Sequence, residues 1–444
     1  MMSIVNKYNQ QIPRYTSYPT VPYWDNNLNE SLWKDQIKSS FIHNNKDGIS
    51  LYIHLPYCES LCTYCACNTR ITVNHKVETP YINGLIKEWE LYKILFTDKP
   101  IIKEIHLGGG TPTFFSPQNL QRLIETVVED SIISKEHDFS FEGHPANTSK
   151  EHLQTLYDLG FRRVSFGIQD FDEKVQQAIN RFQSVEEVRN VVELSRSIGY
   201  TSINFDLVYG LAFQTKESVS ETIKAVLDLK PDRIAFYSYA HVPWIKPGQR
   251  RYTEKDLPVG EDKKALYDLG KDSFLRVGYT DIGLDHFALP TDELYKAAQN
   301  KKLHRNFMGY TTNTTKLLVG LGCSSISDCW TAYSQNLKEV EAYLSEVNSG
   351  KFPLHRGHIL TEEDLKIKQQ ILNIMCKGEL ENEVVSGKRK SGLTELINDG
   401  LLKITKNKLV VTETGKLFLR NIALAIDERY WLAQPKEELF SSAV

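Results

Sequence analysis

Four cysteines lie close together near the start of this chain. Cys58, Cys62, Cys65 and Cys67 fall within ten residues, while the other three of the seven cysteines are scattered later in the sequence. The chain shows no apolar signal segment at its start and no apolar run long enough to span a membrane, so we expect a cytoplasmic protein. In a reducing compartment, thiols grouped this tightly indicate a metal or redox site rather than a disulfide framework.

The spacing of these thiols favours an iron–sulfur cluster over a zinc ion. A structural zinc site usually takes two ligand pairs separated by about a dozen residues or more. Thiolates three or four residues apart can instead each bind a different iron of a cubane. With Cys58, Cys62 and Cys65 as ligands, one iron stays open for a substrate or cofactor. Cys67 is too close to Cys65 to reach another corner, so we interpret it as a companion thiol; a zinc site is the alternative.

The cysteine loop follows the first of six β-rich segments that alternate with amphipathic, helix-like segments. The predicted strands are 51–55, 103–107, 138–142, 163–168, 202–208 and 233–239, and the predicted helices include 81–95, 117–128, 184–198 and 216–229. Repeated β/α units predict a parallel sheet with right-handed crossovers. Such a sheet is either open and doubly wound or curled into a full or partial barrel.

Each predicted strand ends in or near a residue that could take part in chemistry. These are the cysteine loop, Thr111 after a run of glycines, Glu142, Gln169, Asp206 and His241. Such residues converge on one site at the mouth of a barrel, whereas on an open sheet they spread along an edge. We therefore favour a barrel.

The sequence pattern changes after about residue 355. Two predicted helices, 362–375 and 392–398, and a predicted two-stranded wing at 401–412 indicate a small, mostly helical, winged-helix-like domain. We thus divide the chain into an N-terminal segment covering the active site (1–48), a barrel domain with its extension (49–355) and a C-terminal domain (356–444). A basic run at 388–390 could favour DNA, but the formal net charge is only −3, and we expect no nucleic-acid partner.

Longer motifs resemble a known family. Cys58-x3-Cys62-x2-Cys65 is the signature of the radical S-adenosylmethionine superfamily. The extended string from Tyr52 to Asn68, with its Cys-x-Cys ending, resembles the oxygen-independent coproporphyrinogen III oxidase family. Similar strings are PRYTSYPT at 13–20, GGGTPT at 108–113, GIQDF at 167–171, NFDLVYGL at 204–211 and HRNFMGYTT at 304–312.

The resemblance implies a fold, cofactors and a reaction. The fold is a partial (β/α)6 TIM-like barrel of the radical SAM type, with a smaller mostly helical C-terminal domain. The cofactors are a [4Fe-4S] cluster on the three cysteines and S-adenosylmethionine on the open iron, with a second S-adenosylmethionine beside it. The implied reaction turns two propionates of coproporphyrinogen III into vinyl groups through a 5′-deoxyadenosyl radical, giving protoporphyrinogen IX in haem biosynthesis. The implied partner is a low-potential electron donor such as a flavodoxin or ferredoxin, and we expect a monomer.

The resemblance also implies roles for individual residues. Glycine backbone can approach the methionine moiety closely, carboxylates can accept hydrogen bonds from ribose hydroxyls or the ammonium group, and an arginine can pair with the carboxylate. The implied cofactor-binding residues are Tyr52, Tyr64, Gly109, Gly110, Thr111, Glu142, Gln169, Arg181, Asp206, Ala240, Phe307, Met308 and Ile326. Tyr15, His54 and Cys67 are the implied catalytic or substrate-side residues. Met308 departs from the family pattern, in which we expect glutamine.

A substrate with four carboxylates on an apolar macrocycle requires a wide pocket with several cations. Candidates are Arg14, Lys246, Arg250, Arg251 and Arg305. The alternatives are another tetrapyrrole-acting radical enzyme, either a methyltransferase or a haem-degrading one, and a haem or iron–sulfur chaperone without enzymatic activity.

Overall fold

The computed structural model describes residues 4–381 and 388–434. The side chains at 388–390 lie outside this description, so the role of that basic run stays a prediction.

Six parallel strands form the centre of the molecule. In chain order, barrel strands 1 to 6 are Ile49–Leu55, Ile101–Gly109, Ile132–Gly143, Phe161–Gln169, Ser202–Tyr209 and Arg233–Ser238. They also lie side by side in that order, with every neighbouring pair parallel. When each crossover leads to the neighbouring strand, all the helices lie on one face of the sheet and the sheet curls. In a doubly wound sheet the strand order reverses part-way, which places helices on both faces. The predicted partial barrel is confirmed.

The helices of the barrel domain cover the outer face of these strands. They are Glu78–Lys93, Pro117–Val128, Lys150–Asp158, Val185–Ile198 and Lys216–Asp228. Helix Glu173–Ile179 packs instead in a separate small core with Leu211 and Tyr239. Successive side chains of a strand point to opposite faces of the sheet, so the outer face and the interior of the barrel differ in composition. Barrel strand 3 illustrates this. Phe139 and Phe141 are buried in the main apolar core, while Ser140 and Glu142 point to the other face, toward the barrel interior.

The sheet continues beyond the barrel on both edges to a total of twelve strands. Leu318–Leu321 pairs in parallel with barrel strand 1 and is followed by the antiparallel strands Ile326–Asp328, Ala332–Asn336 and Leu354–Ile359. On the other edge, His286–Ala288 pairs antiparallel with barrel strand 6, and Thr280–Gly283 lies outside it. Further elements of this extension are the helices Gly260–Arg276, Glu293–Gln299 and Val340–Asn348 and the hairpin His304–Asn306 with Gly309–Thr311.

The C-terminal part has its own apolar core. Its helices are Glu362–Lys377, Lys388–Asn398, Leu419–Ile426 and Glu428–Leu432, and its small sheet consists of Glu379–Glu381, Leu402–Thr405 and Lys408–Val411. The predicted wing therefore gains a third strand, Glu379–Glu381. That strand is only three residues long, too short to show a period-2 pattern in the sequence.

The N-terminal segment is divided between two cores. Helix Glu30–Asn44 packs into the barrel core through Trp33, Ile37 and Phe41. The preceding residues, from helix Ile4–Tyr8 to Tyr18, pack instead into the C-terminal core. The two ends of the chain are thus joined, while the proposed domain boundaries stay a prediction.

Short elements complete the described chain. Tyr57–Cys58 and Arg70–Ile71 form a two-stranded ladder that brackets the cysteine loop. The 3-10 turns are Val21–Tyr23, Asn45–Asp47, His75–Val77, Pro112–Phe114, Pro145–Asn147, Pro247–Arg251, Glu254–Asp256 and Thr414–Phe418. None of the helices in the described part of the chain is long and apolar enough to cross a membrane.

Candidate active site

The carboxyl ends of the barrel strands open into two neighbouring cavities. The larger, about 570 Å³, is lined by the four cysteines of the loop and by Tyr64, Gly109, Gly110, Thr111, Glu142, Gln169, Arg181, Asp206 and Ala240. The smaller, about 300 Å³, is lined by Tyr52, His54, Phe307, Met308 and Ile326. Cys67, Gly109 and Glu142 line both. The structure thus brings together every implied cluster, cofactor-binding and catalytic residue except Tyr15; His241 lines neither cavity.

The thiols of the loop do not converge on one metal position in the described part of the chain. All four are unpaired. Among the residues that the structure describes, no group of three or more His, Cys, Asp or Glu side chains converges on a single metal position. A zinc ion needs such convergence, whereas the ligands of a cubane stand farther apart because each binds a different iron. The donor set of Cys58, Cys62 and Cys65 therefore fits a [4Fe-4S] cluster.

The surroundings of the individual thiols differ. Burial raises the pKa of Cys58 to about 11, and its Sγ shares a 3.3 Å hydrogen bond with the hydroxyl of Thr111. The pKa of Cys65 is lowered to about 6, chiefly by its hydrogen bond with the thiol of Cys67, against the effect of burial. Cys67 itself lies on the wall between the two cavities, and Lys246 donates a 3.0 Å hydrogen bond to its carbonyl oxygen. One of the candidate substrate cations therefore positions the end of the cysteine loop.

Arg181 presents an unsatisfied donor to the larger cavity. Its Nη1 lies 3.7 Å from Sγ of Cys62, and its Nη2 donates to the carbonyl oxygen of Gly167. Its Nε is buried without a hydrogen-bond partner. A buried donor of a charged group is costly to leave unpaired. The site thus fits a ligand carboxylate at this position, such as that of S-adenosylmethionine.

The two carboxylates of the larger cavity have different electrostatic surroundings. Burial raises the pKa of Glu142, but hydrogen bonds from His106 and the backbone N–H of Gly109, both at 3.3 Å, outweigh it and leave the pKa lowered. For Asp206 burial wins over the hydrogen bonds from Ser165 and Asn204, so its pKa rises to about 6. At neutral pH both are acceptors, and only Asp206 is close to protonation.

His54 is held in one tautomer by its neighbours. Its Nε2 lies 2.9 Å from the carbonyl oxygen of Asn68, which can only accept, so Nε2 carries the hydrogen. Its Nδ1 then accepts from the hydroxyl of Tyr52 at 3.0 Å. Burial lowers the pKa of His54 and keeps the ring neutral. Both ring nitrogens are thus engaged in orienting the wall of the smaller cavity.

The two glycines at the end of barrel strand 2 are required by protein packing. A Cβ on Gly109, whose φ is +116°, would lie 2.6 Å from the ring of His54. A Cβ on Gly110 would lie 2.6 Å from the carbonyl carbon and oxygen of Pro56. From the sequence, we expected glycine at these positions because it lets the backbone approach a ligand closely. The structure adds a second reason, which is that barrel strand 2 lies close to His54 and to the start of the cysteine loop.

A strained residue ends barrel strand 4. Gln169 has a φ of +66°, in the left-handed region that side-chain-bearing residues rarely adopt. Its amide points to Gly167, where a Cβ would lie 2.7 Å from Nε2 of Gln169 and 3.0 Å from Nη2 of Arg181. Gly167 therefore makes room for both polar side chains at the cavity wall.

Tyr15 lies outside the two cavities. Its side chain is buried in the C-terminal core, and its hydroxyl donates a 2.9 Å hydrogen bond to Asp427. A substrate-side role for Tyr15 stays a prediction that this placement does not support. Of the other candidate cations, Arg14 lines the larger cavity, whereas Arg250 and Arg251 are exposed away from it.

The sequence missed several residues that line or support the site. His106 binds both Ser140 and Glu142, and Tyr237 and His144 line the larger cavity. Burial, together with the charge of Arg181, lowers the pKa of His144 to about 3, so this ring is neutral. His106 could have been found from the alternation of apolar and polar side chains along its strand. It is the polar residue between Ile105 and Leu107, and the strand itself was correctly predicted.

Comparison with known proteins places this site in a family. The radical SAM superfamily model matches residues 52–226, which span the cysteine loop and barrel strands 1 to 5. The oxygen-independent coproporphyrinogen III oxidase of Helicobacter pylori (strain ATCC 700392 / 26695) is 39% identical over 95% of each chain. That of Synechocystis sp. (strain ATCC 27184 / PCC 6803 / Kazusa) is 36% identical over 99% of this chain and 97% of its own.

The chain belongs to the oxygen-independent coproporphyrinogen III oxidase family.

A solved structure agrees with this membership. Coproporphyrinogen III oxidase from Escherichia coli, described as a radical SAM enzyme, matches with a TM-score of 0.89 at 33% identity, covering 95% of this chain and all of that one. The resemblance seen in the sequence is thus confirmed, as is the predicted fold of this family. The protein is a radical SAM enzyme, with a [4Fe-4S] cluster and S-adenosylmethionine as its cofactors.

Proposed function

We propose that this radical SAM oxidoreductase decarboxylates two propionate side chains of coproporphyrinogen III to vinyl groups without oxygen, yielding protoporphyrinogen IX for haem biosynthesis. The observation that carries this proposal is that the three-cysteine loop and the predicted cofactor residues line one cavity, in a chain that aligns nearly end to end with oxidases of this name. Their full-length agreement favours the oxidase over a methyltransferase, a haem-degrading enzyme or a chaperone.

The residues that would hold the cofactors follow different strands of the barrel. Cys58, Cys62 and Cys65 would hold the cluster, and Arg181 would pair with the carboxylate of S-adenosylmethionine through its unpartnered Nε. When bound and reduced by one electron, these cofactors supply a 5′-deoxyadenosyl radical that can remove a hydrogen atom from carbon. The protein's part is to orient and enclose the reactants.

The carboxylates and rings of the site perform this orientation. Glu142, held ionised by His106 and Gly109, offers an acceptor for an ammonium or hydroxyl group. Neutral His54 and Tyr52 form a fixed wall that neither gives nor takes a proton near neutral pH. Fixed dipoles and a restricted cavity protect a reactive radical from side reactions.

The smaller cavity provides the place for a second molecule of S-adenosylmethionine. It adjoins the larger cavity at Cys67, Gly109 and Glu142. The side chain of Met308 in its wall is apolar, whereas the family pattern has glutamine at this position. This chain would therefore bind the second molecule with one polar contact fewer than members that carry the glutamine.

The source of electrons and the setting of the enzyme are further parts of the proposal. A low-potential one-electron donor, a flavodoxin or a ferredoxin, would reduce the cluster. Each decarboxylation would also release one electron with the carbon dioxide, and a one-electron acceptor would take it up. A cytoplasmic location is supported by the seven unpaired cysteines. We propose that the enzyme acts as a monomer, because one chain supplies all the residues of both cavities.

An anaerobic assay tests the proposed function. The cluster-loaded protein is incubated with dithionite, S-adenosylmethionine and coproporphyrinogen III, and the products are separated by chromatography. We expect protoporphyrinogen IX, carbon dioxide and 5′-deoxyadenosine. Release of 5′-deoxyadenosine without any vinyl product would favour a different radical enzyme, and the absence of both would contradict the proposal.

A further inference from the structure

A group of four cations surrounds one carboxylate beside the larger cavity. Burial raises the pKa of Asp285, and the charges of Arg14, Arg305, Arg420 and Lys263 all act to lower it. These residues come from the N-terminal segment, the hairpin His304–Asn306 with Gly309–Thr311, the C-terminal helix Leu419–Ile426 and helix Gly260–Arg276. We call them the cation cluster.

Three members of the cation cluster lack an ion pair with any residue that the structure describes. The charges of all four members act on the single carboxylate of Asp285. Arg14, Lys263 and Arg305 form no ion pair with any carboxylate in residues 4–381 and 388–434. Burial together with the charges of Arg14 and Arg420 lowers the pKa of Lys263 to about 8. Like charges that lie close together in a partly buried place repel one another, and a bound anion would relieve this repulsion. The cation cluster therefore indicates a site for an anionic ligand.

Arg305 carries the clearest unsatisfied donors of the cation cluster. Its guanidinium lies over the ring of Tyr310, 4.9 Å from the centroid, and is thereby oriented. Its Nε and Nη1 are buried and have no hydrogen-bond partner. An arginine fork that is held in place with free donors is suited to bind a carboxylate with two hydrogen bonds.

The cation cluster is in contact with the cofactor site. Arg14 lines the larger cavity together with the cysteine loop, and its side chain is exposed within it. Tyr237 lines the same cavity, and the charges of Asp206, Asp285 and Arg305 all act on its hydroxyl. A ligand that reaches from Asp206 past Tyr237 would therefore meet the cluster.

Parts of the chain that are distant in sequence hold the cluster together. Arg420 donates hydrogen bonds to the carbonyl oxygens of Ile12 and Pro13, next to Arg14. Lys263 donates to the carbonyl oxygen of Tyr239 at 3.1 Å, which ties helix Gly260–Arg276 to the end of barrel strand 6. The C-terminal domain thus sets the position of the N-terminal cation.

We propose that Arg14, Lys263, Arg305 and Arg420 form the subsite that binds the propionate carboxylates of the tetrapyrrole not undergoing reaction. The inference rests on the proposed function and adds the residues that recognise the substrate. It gives the C-terminal domain a role in substrate binding, through Arg420 and its contact with the segment that carries Arg14.

Equilibrium binding tests this subsite. Coproporphyrinogen III is titrated anaerobically into the cluster-loaded protein, and quenching of tryptophan fluorescence is followed. We expect Arg14→Gln and Arg305→Gln each to weaken binding about tenfold or more, because each removes a charge-assisted hydrogen bond. Arg276→Gln and Lys264→Gln change exposed or half-buried cations outside the cluster on the helix that carries Lys263, and they should bind as the parent does.

Two further measurements separate the possible outcomes. The neutral tetramethyl ester of coproporphyrinogen III should bind the parent and the cluster variants equally, and turnover of the acid by the parent is assayed alongside. Unchanged affinity for the acid in both cluster variants, or an equal loss for acid and ester, would overturn the subsite. A parent that binds the acid but makes no vinyl product contradicts the proposed function alone, and a parent that does not bind it overturns both.

Discussion

Nη1 of Arg181 lies 3.7 Å from Sγ of Cys62, although 118 residues separate the two in the chain. The same guanidinium keeps a buried, unpaired Nε. One side chain thus contacts a cluster ligand and offers a donor to the cofactor, so it can couple the position of the cofactor to that of the cluster.

We expect Arg181→Lys to weaken the binding of S-adenosylmethionine about tenfold or more, because a lysine cannot form the two-pronged pair with a carboxylate. The iron content should stay at the parent level. Isothermal titration of the cluster-loaded protein measures the affinity. Arg189→Lys, on the outer helix Val185–Ile198, is the matched control. Parent-like affinity in the Arg181 variant would remove Arg181 from the cofactor site.

The fourth thiol should be dispensable for the cluster. We expect Cys58→Ser to lose the cluster, whereas Cys67→Ser keeps about four irons per chain, because three thiolates suffice when the cofactor completes the fourth iron. Iron and sulfide analysis with the visible absorption spectrum checks this. Equal loss of iron in both variants would make Cys67 a ligand.

The affinity for S-adenosylmethionine should fall in acid. The pKa of Asp206 is about 6, raised by burial, and its ionised form is the better hydrogen-bond acceptor. If only this form binds, the affinity is constant above pH 7 and falls about tenfold per pH unit below about pH 6. Glu142, with its lowered pKa, stays ionised over this range.

Titrations between about pH 5.5 and pH 8 measure this dependence, and Asp206→Asn is the control. That variant should bind more weakly at neutral pH and show no such slope. A parent affinity that does not change over this range would show that Asp206 is not an acceptor for the cofactor.

Gly110→Ala should damage the cysteine loop. Its Cβ would lie 2.6 Å from the backbone carbonyl of Pro56, which cannot turn away as a flexible side chain would. We expect a loss of stability of about 1–3 kcal/mol and a lower iron content. At Gly248 the nearest atom to an added Cβ is the side chain of Leu61 at 3.5 Å, so Gly248→Ala should be neutral. Thermal unfolding and iron analysis compare the two, and equal melting temperatures would contradict the expected clash.

Tyr15→Phe should affect stability more than catalysis. It removes the hydroxyl that donates to Asp427, a fully buried carboxyl group, at a cost of about 1–3 kcal/mol. Tyr23→Phe, which removes an exposed hydrogen bond to the carbonyl oxygen of Ala433, should change little. Thermal unfolding and the KM and kcat for coproporphyrinogen III are measured together. A large fall in kcat with unchanged stability would place Tyr15 on the substrate side after all.

Features that depend on residues close together in the chain could be predicted from the amino-acid sequence alone. The spacing of Cys58, Cys62 and Cys65 limits which metal site they can form, and the alternation of short apolar strands with amphipathic helices predicts the parallel sheet. Both depend on residues a few positions apart. The family motifs supplied the remaining site residues, nearly all of which line the two cavities.

Only the tertiary structure decided which distant side chains meet. It joins Arg14 to Arg305 and Arg420 around Asp285, removes Tyr15 from the cavities by engaging it with Asp427, and places the ring of His54 against Gly109. Contacts of this kind follow from how helices and strands pack, and neither the period of a helix nor that of a strand carries information about them. The charge of the whole chain, at −3, likewise gave no sign that its substrate-binding cations are gathered in one place.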